Sequence, residues 1–121
     1  MKLSAVIITF NEERNLQRCL DSLKGVADEI IVVDSFSTDA TQRIAEAAGA
    51  IFIQHAFEGH IQQKNYALTC AQHEWILSLD ADEALSPRLK HRFGIIESLV
   101  RISAKRSREE FHQVVAKRCV K

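Results

Sequence analysis

Glu29-Ile30-Ile31-Val32-Val33-Asp34 sets four β-branched apolar residues in an unbroken row between two acids. A strand with one wet face alternates apolar and polar residues. A continuous apolar run needs cover on both faces, as in a parallel sheet clad by helices. The same character recurs in the segment from Leu3 to Thr9, around Val6-Ile7-Ile8, and in Trp75 to Leu79. A shorter run from Ala50 to Gln54 makes a further strand.

Helical patterns fill the gaps. Asn11 is placed to cap a helix with Glu12 and Glu13 in its first turn, where the helix dipole favours negative charge. Leu16, Leu20 and Leu23 follow at near-helical spacing, and Gly25 ends the segment. Ser37 or Thr38 can cap a second helix that runs through Ala48 and stops at Gly49. Residues 60–72 give a third, with Ile61, Ala67, Leu68 and Ala71 on its apolar side. Strands alternating with helices imply βαβ units, hence an α/β fold with a mostly parallel sheet and helices on both faces. After Ser86-Pro87, a cap followed by proline at the first helical position, the chain turns helical and basic. Apolar stripes there fall on Phe93, Ile96, Leu99 and Val100, and on Phe111, Val114 and Val115.

At 121 residues, 46% apolar and 26% charged, the chain suits one small globular core. No apolar stretch is long enough to span a bilayer, and no secretory signal pattern opens the chain. Cys19, Cys70 and Cys119 are odd in number and widely spaced, which predicts reduced thiols in a cytoplasmic setting rather than a disulfide frame or zinc site. The five histidines lack metal-ligand spacing and receive no role. Zero net charge hides a split. Residues 1–87 hold 6 Lys/Arg and 13 Asp/Glu, a balance of −7, while residues 88–121 hold 10 and 3, a balance of +7. Such asymmetry suits a solvated helix face or contact with anionic lipid.

Ligands of open parallel sheets bind beyond the carboxyl ends of the strands, where strand order reverses. Strand one delivers Thr9, Phe10, Asn11 and Glu12 to that edge. Strand two delivers Asp34, Ser35, Ser37, Thr38 and Asp39, and the last strand delivers Asp80, Asp82 and Glu83. A base fits against Phe10 with its N–H groups donating to Asp34, and a ribose fits beside Asp80. The carboxylates of Asp80-Ala81-Asp82 suit Mg²⁺ or Mn²⁺, hard ions held partly by nucleotide phosphates. Their role would be to neutralise charge on a departing diphosphate. Bland readings stand beside these: the acids as solvated loop residues, Asn11, Ser37 and Thr38 as helix caps, and Lys64 as a solvated helix residue.

Three stretches together resemble the family 2 glycosyltransferases of GT-A fold. They are Ala5-Val6-Ile7-Ile8-Thr9-Phe10-Asn11-Glu12, the segment from Glu29 through Ser37-Thr38-Asp39 to Thr41, and Leu77-Ser78-Leu79-Asp80-Ala81-Asp82-Glu83. Their order and spacing agree with the family, and Lys64-Asn65 after Gly59 is similar to a further donor-side segment. The subgroup most resembled is the β-glycosyltransferases of lipopolysaccharide core assembly. The resemblance implies that Thr9, Asn11 and Asp34 contact uracil or an equivalent base, Lys64 lies near donor phosphates or base, Asp80 contacts ribose, and Asp82 binds the metal. Ser35 departs from the pattern, since many members carry a second Asp there.

The resemblance covers residues 3–87 and implies a Rossmann-like nucleotide-sugar-binding half, with residues 88–121 a basic helical tail, divergent or out of frame. Family members continue into an acceptor-binding half that carries the catalytic base; Glu97, Glu109 and Glu110 offer no equivalent, so the catalytic residue is unknown. The implied function is transfer of a sugar from a UDP-type donor to a saccharide or lipid-linked acceptor in cell-envelope or lipopolysaccharide synthesis. The expected setting is cytoplasmic, with peripheral membrane contact open to the basic tail and no nucleic acid among the partners. The alternative is a nucleotide-sugar-binding module without turnover. Nucleotidyl transfer ranks low because Phe10-Asn11-Glu12-Glu13 is acidic and lacks the glycine-rich basic loop that holds a triphosphate. A receiver-type signalling domain would need its acids clustered beside strand one.

Overall fold

The computed structural model describes residues 2–85. Four strands, β1 (Leu3–Thr9), β2 (Glu29–Asp34), β3 (Ile51–Gln54) and β4 (Trp75–Asp80), form one sheet in the order β3-β2-β1-β4, every pair parallel. Three helices connect them: α1 (Leu16–Ser22), α2 (Thr41–Ala47) and α3 (His60–Cys70). The continuous apolar runs do lie inside the sheet. Ala5, Val6, Ile7, Ile31, Val32, Val33, Ile76, Leu77 and Leu79 are all buried. Parallel strands are joined by right-handed crossovers. The chain steps from β1 to β2 to β3 in one direction, then returns across the sheet to β4. That reversal puts α1 and α2 together on one face, in contact with each other, and α3 on the other, against β1, β2 and β4.

Register aligns the strand ends. Thr9 pairs with Asp34, Asp34 with Gln54, and Ile8 with Asp80, so four strands finish at one edge. Gly49 ends α2 with φ +81°: its N–H bonds to Glu46 O and that of Ala50 to Ala45 O, the paired bonds of a Schellman motif. Cys19 and Trp75 are core residues.

Local expectations at the helix starts are corrected. Asn11 caps nothing; α1 begins at Leu16, and neither α1 nor α2 has a side-chain cap bond. Ser37 and Thr38 also lie upstream of the second helix rather than at its cap. Ile61 was expected on the apolar side of α3 but is 73% exposed. In the same turn it is Gln63, not Ile61, that turns inward. Residues 88–121, including the expected tail helices and Glu97, Glu109 and Glu110, lie outside the described residues. Among the described residues, no helix is long and apolar enough to cross a membrane.

Candidate functional site

β4 lies on the far side of β1 from β2, so strand order reverses at β1, and a crevice opens beyond the carboxyl ends of β1 and β4. Its volume is about 390 Å³, in the range of small-ligand sites. Thr9, Phe10 and Glu12 line it from β1, Asp80, Ala81 and Asp82 from β4, and His60, Gln63 and Lys64 from α3, with Ser35 and Phe57 completing the rim. Phe10 and Phe57 are exposed, an unusual state for large apolar rings; Phe57 meets His60 edge to face, and Phe10 offers a ring surface to a planar ligand.

The acidic turn after β4 is held by its backbone. The Asp80 N–H donates to Glu83 Oε1 at 2.8 Å, the Glu83 N–H donates to Asp80 O at 2.9 Å, and Arg18 Nη2 donates to Asp82 O at 2.8 Å. On the turn these bonds use main-chain groups and the Glu83 side chain, with Arg18 reaching in from α1, and the Asp82 carboxylate has no hydrogen-bond or ion-pair partner among the described residues. Asp80 Oδ1 meets Lys64 Nζ at 3.3 Å. Both side chains are half-buried but open to solvent, so the pair contributes about 1 kcal/mol or less and can yield to a ligand. Burial, reinforced by the Asp80 and Asp82 charges, pushes the Glu83 carboxyl above its ordinary value; the Asp80 N–H and Lys64 pull against it. Beneath the turn, burial and then Glu83 push the Cys19 thiol up to about 12, so it is inert filler at neutral pH.

Asp34 is fully buried, and its carboxylate accepts bonds from Thr9 Oγ1 at 2.6 Å, the Ser37 hydroxyl and the Ser37 N–H at 2.7 Å. It stands behind Thr9 rather than in the crevice lining. Asn11, in a left-handed conformation at φ +50°, donates its N–H to Ser37 Oγ at 2.7 Å and accepts from the Thr38 N–H at 2.9 Å. The Glu12 N–H donates to Thr41 Oγ1 and the Glu13 N–H to Asp39 Oδ2, while the Ala40 N–H donates to Glu13 Oε1. The loops after β1 and β2 thus satisfy each other's amides, which is why internal caps are missing. Burial raises Asp39, but bonds from the Thr41 hydroxyl and the Thr41 and Glu13 amides outweigh it and hold the carboxyl below its ordinary value.

Of the residues singled out from sequence, Thr9, Lys64, Asp80 and Asp82 share the crevice, and Asn11 and Asp34 lie behind its β1 and β2 wall. Sequence reading passed over Gln63, His60 and Phe57. The helical stripe counted back from Ala67 lands on Gln63, a polar residue where an apolar one is expected, and that was the available signal. Among the described residues no group of three His, Cys, Asp or Glu side chains could enclose a metal ion. Two strand-end carboxylates make a partial, all-oxygen shell, the donor set of a hard divalent ion completed by phosphate and water.

Comparison with known proteins accords with this geometry. The family described as Glycosyl transferase family 2 matches residues 4–98. An uncharacterized glycosyltransferase of Rickettsia bellii is 48% identical over 95 residues, covering 78% of this chain and 32% of its own length. The lipopolysaccharide core biosynthesis glycosyltransferase LpsC of Rhizobium meliloti is 40% identical over 95 residues, covering 74% and 35%. Among solved structures, S. aureus TarS superposes with a TM-score of 0.68 at 30% identity, over 81% of this chain and 20% of TarS. Glucosyl-3-phosphoglycerate synthase of Mycobacterium tuberculosis, solved with Mn²⁺, uridine diphosphate and glucosyl-3-phosphoglycerate, superposes at 0.60 with 26% identity, over 69% and 35%. The sheet and its helices are therefore GT-A-like. The chain spans about a third of the length of the curated relatives it matches. On its sequence and on the fold that carries its crevice, the chain belongs to glycosyl transferase family 2.

Proposed function

We propose that the crevice binds the nucleoside diphosphate of a sugar donor, and that this chain is the donor-binding part of a glycosyltransferase. The observation that carries this reading is the free Asp82 carboxylate beside Asp80 and Lys64, across the strand-order reversal from Thr9 and Phe10. In this reading the base stacks on Phe10 at the end formed by Thr9, with Asn11 and Asp34 behind it. Asp80 takes the ribose, and Lys64, released from Asp80, takes a phosphate. Asp82 holds Mg²⁺ or Mn²⁺, which supplies neutralisation of the departing diphosphate. Support for a UDP-type donor comes from neighbours: TarS was solved in complex with UDP, and the mycobacterial synthase with UDP and Mn²⁺.

Transfer requires an acceptor hydroxyl to attack the anomeric carbon as the sugar–diphosphate bond breaks, its proton passing to a base. The crevice acids, Glu12, Asp80 and Asp82, all lie on the donor side. We assign the base and the acceptor site to sequence that the longer relatives have beyond the matched third. A saccharide or lipid-linked acceptor of the cell envelope is favoured by the LpsC relative. The balance of +7 in residues 88–121 suits action at the cytoplasmic face of an anionic membrane.

Calorimetric titration with UDP, with Mn²⁺ and then with excess EDTA, tests the reading. Binding that is lost with the metal supports it; binding indifferent to EDTA, or none in either condition, overturns it. Donor hydrolysis or transfer by the same chain separates an enzyme from a binding module.

A further inference from the structure

Gln63 is 1% exposed yet reaches the crevice, and every polar atom of its amide is used. Nε2 donates to Ser35 Oγ at 3.1 Å and to the His55 carbonyl at 3.2 Å, and Oε1 lies 2.9 Å from His55 Nδ1. A carbonyl oxygen only accepts, so the NH₂ end of the amide must be the one beside His55 O. Oε1 then faces Nδ1, which therefore carries a proton. His55 is itself held in place by stacking on Tyr66, centroids 3.7 Å apart at 15°.

The consequence falls on Ser35. Its oxygen receives the Gln63 proton, and its own hydroxyl proton has no acceptor among the described residues. Its N–H donates to Thr9 O at 3.0 Å, which seats it next to Thr9 on the crevice rim. A buried amide with no spare donor thus leaves an unspent hydroxyl proton on Ser35, at the crevice rim beside Thr9.

We propose that Ser35 is the specificity-determining donor for the nucleotide base, its hydroxyl aimed by Gln63 at a ring carbonyl. Such a site favours a base presenting a carbonyl over one presenting an amino group at that point. Gln63 is a positioning residue, acting only through Ser35. This inference rests on the donor-binding reading above.

UDP and CDP share ribose and diphosphate; uracil has a carbonyl at ring position 4 and a proton on N3, where cytosine has an amino group and a bare N3, so they are the probes. The full chain, titrated with each in excess Mn²⁺, should bind UDP about tenfold more tightly. Ser35→Ala should weaken UDP about five- to tenfold, the loss of one neutral hydrogen bond, and change CDP less than twofold. Gln63→Glu keeps the shape but removes the NH₂ group. The Ser35 proton then turns back to the buried carboxyl, and the UDP-to-CDP preference should fall to or below one. Burying that acid could unfold the chain, so Ser35→Ala decides alone, with circular dichroism checking the fold. Equal loss for both nucleotides would mean a merely structural Ser35 and overturn the proposal, as would no change for either. Wild type that binds UDP without preference over CDP overturns this proposal while leaving the donor-binding reading intact. Wild type that binds neither overturns both.

Discussion

The two edges of the sheet carry comparable acids and comparable hollows, yet only one has chemistry to offer. At the amino edge a hollow of about 450 Å³ is bordered by Asp28, Glu29 and His73. There Asp28 Oδ2 accepts the Leu3 N–H at 2.7 Å, and Glu29 Oε2 accepts the Ser4 hydroxyl and the Gln72 N–H. Those carboxylates secure the start of β1 and the turn into β4. At the carboxyl edge the hollow is slightly smaller, but among the described residues the Asp82 carboxylate is free and that of Asp80 has a single, partly solvated partner. Cavity size does not separate a site from a seam. What separates them is whether the polar atoms are already committed.

The largest expected effect breaks the comparison directly. Asp82→Ala should weaken metal-dependent UDP binding by about 100-fold or more, as loss of a metal ligand does, and leave the melting temperature nearly unchanged. Equal damage to stability would show that Asp82 is a structural acid after all. Next comes Asp34→Ala, which strands the Thr9 hydroxyl and the Ser37 N–H. A loss of about 2–3 kcal/mol is expected in urea unfolding, because buried donors without acceptors are costly. Asp28→Ala should cost about 1–2 kcal/mol by freeing the Leu3 N–H, and leave UDP affinity intact. A change in affinity there would dissolve the distinction between the edges.

Two smaller effects sharpen it. Cys19 lies under the acidic turn, its Sγ 4.0 Å from Asp80 O, and its raised thiol value keeps it protonated at pH 8. Alkylation mapped by mass spectrometry should therefore spare Cys19 until urea is added and modify half-buried Cys70 before it. Early labelling of Cys19 would mean that the crevice floor opens. The smallest effect concerns acid. Asp39 has a lowered folded value, so its contribution is present above the ordinary 3.8 and is lost as pH falls through the folded value. Asp39→Asn should slightly flatten the acid limb of a stability profile below about pH 4 and change nothing near neutrality.

The strands were legible because burial on both faces demands runs such as Ile30-Ile31-Val32-Val33, and the polar residues that follow those runs mark the sheet edge where the crevice lies. The helix starts were not. Asn11 and Ser37 look like caps, and they do satisfy amides, but each serves the other loop, 26 or 27 residues away. Local propensity cannot report which distant donor a short polar side chain will meet. Ile61 failed for a related reason, since periodicity marks a stripe on a helix but not which residue of its first turn faces inward. Gln63 was hidden because its partners, the Ser35 hydroxyl and the carbonyl and ring Nδ1 of His55, follow two other strand ends.

The five bonds exchanged between the loops after β1 and β2 make them a single inheritable part. Transplanting either one into a different scaffold would carry orphaned amides with it, so engineering of this rim has to move both segments together or neither.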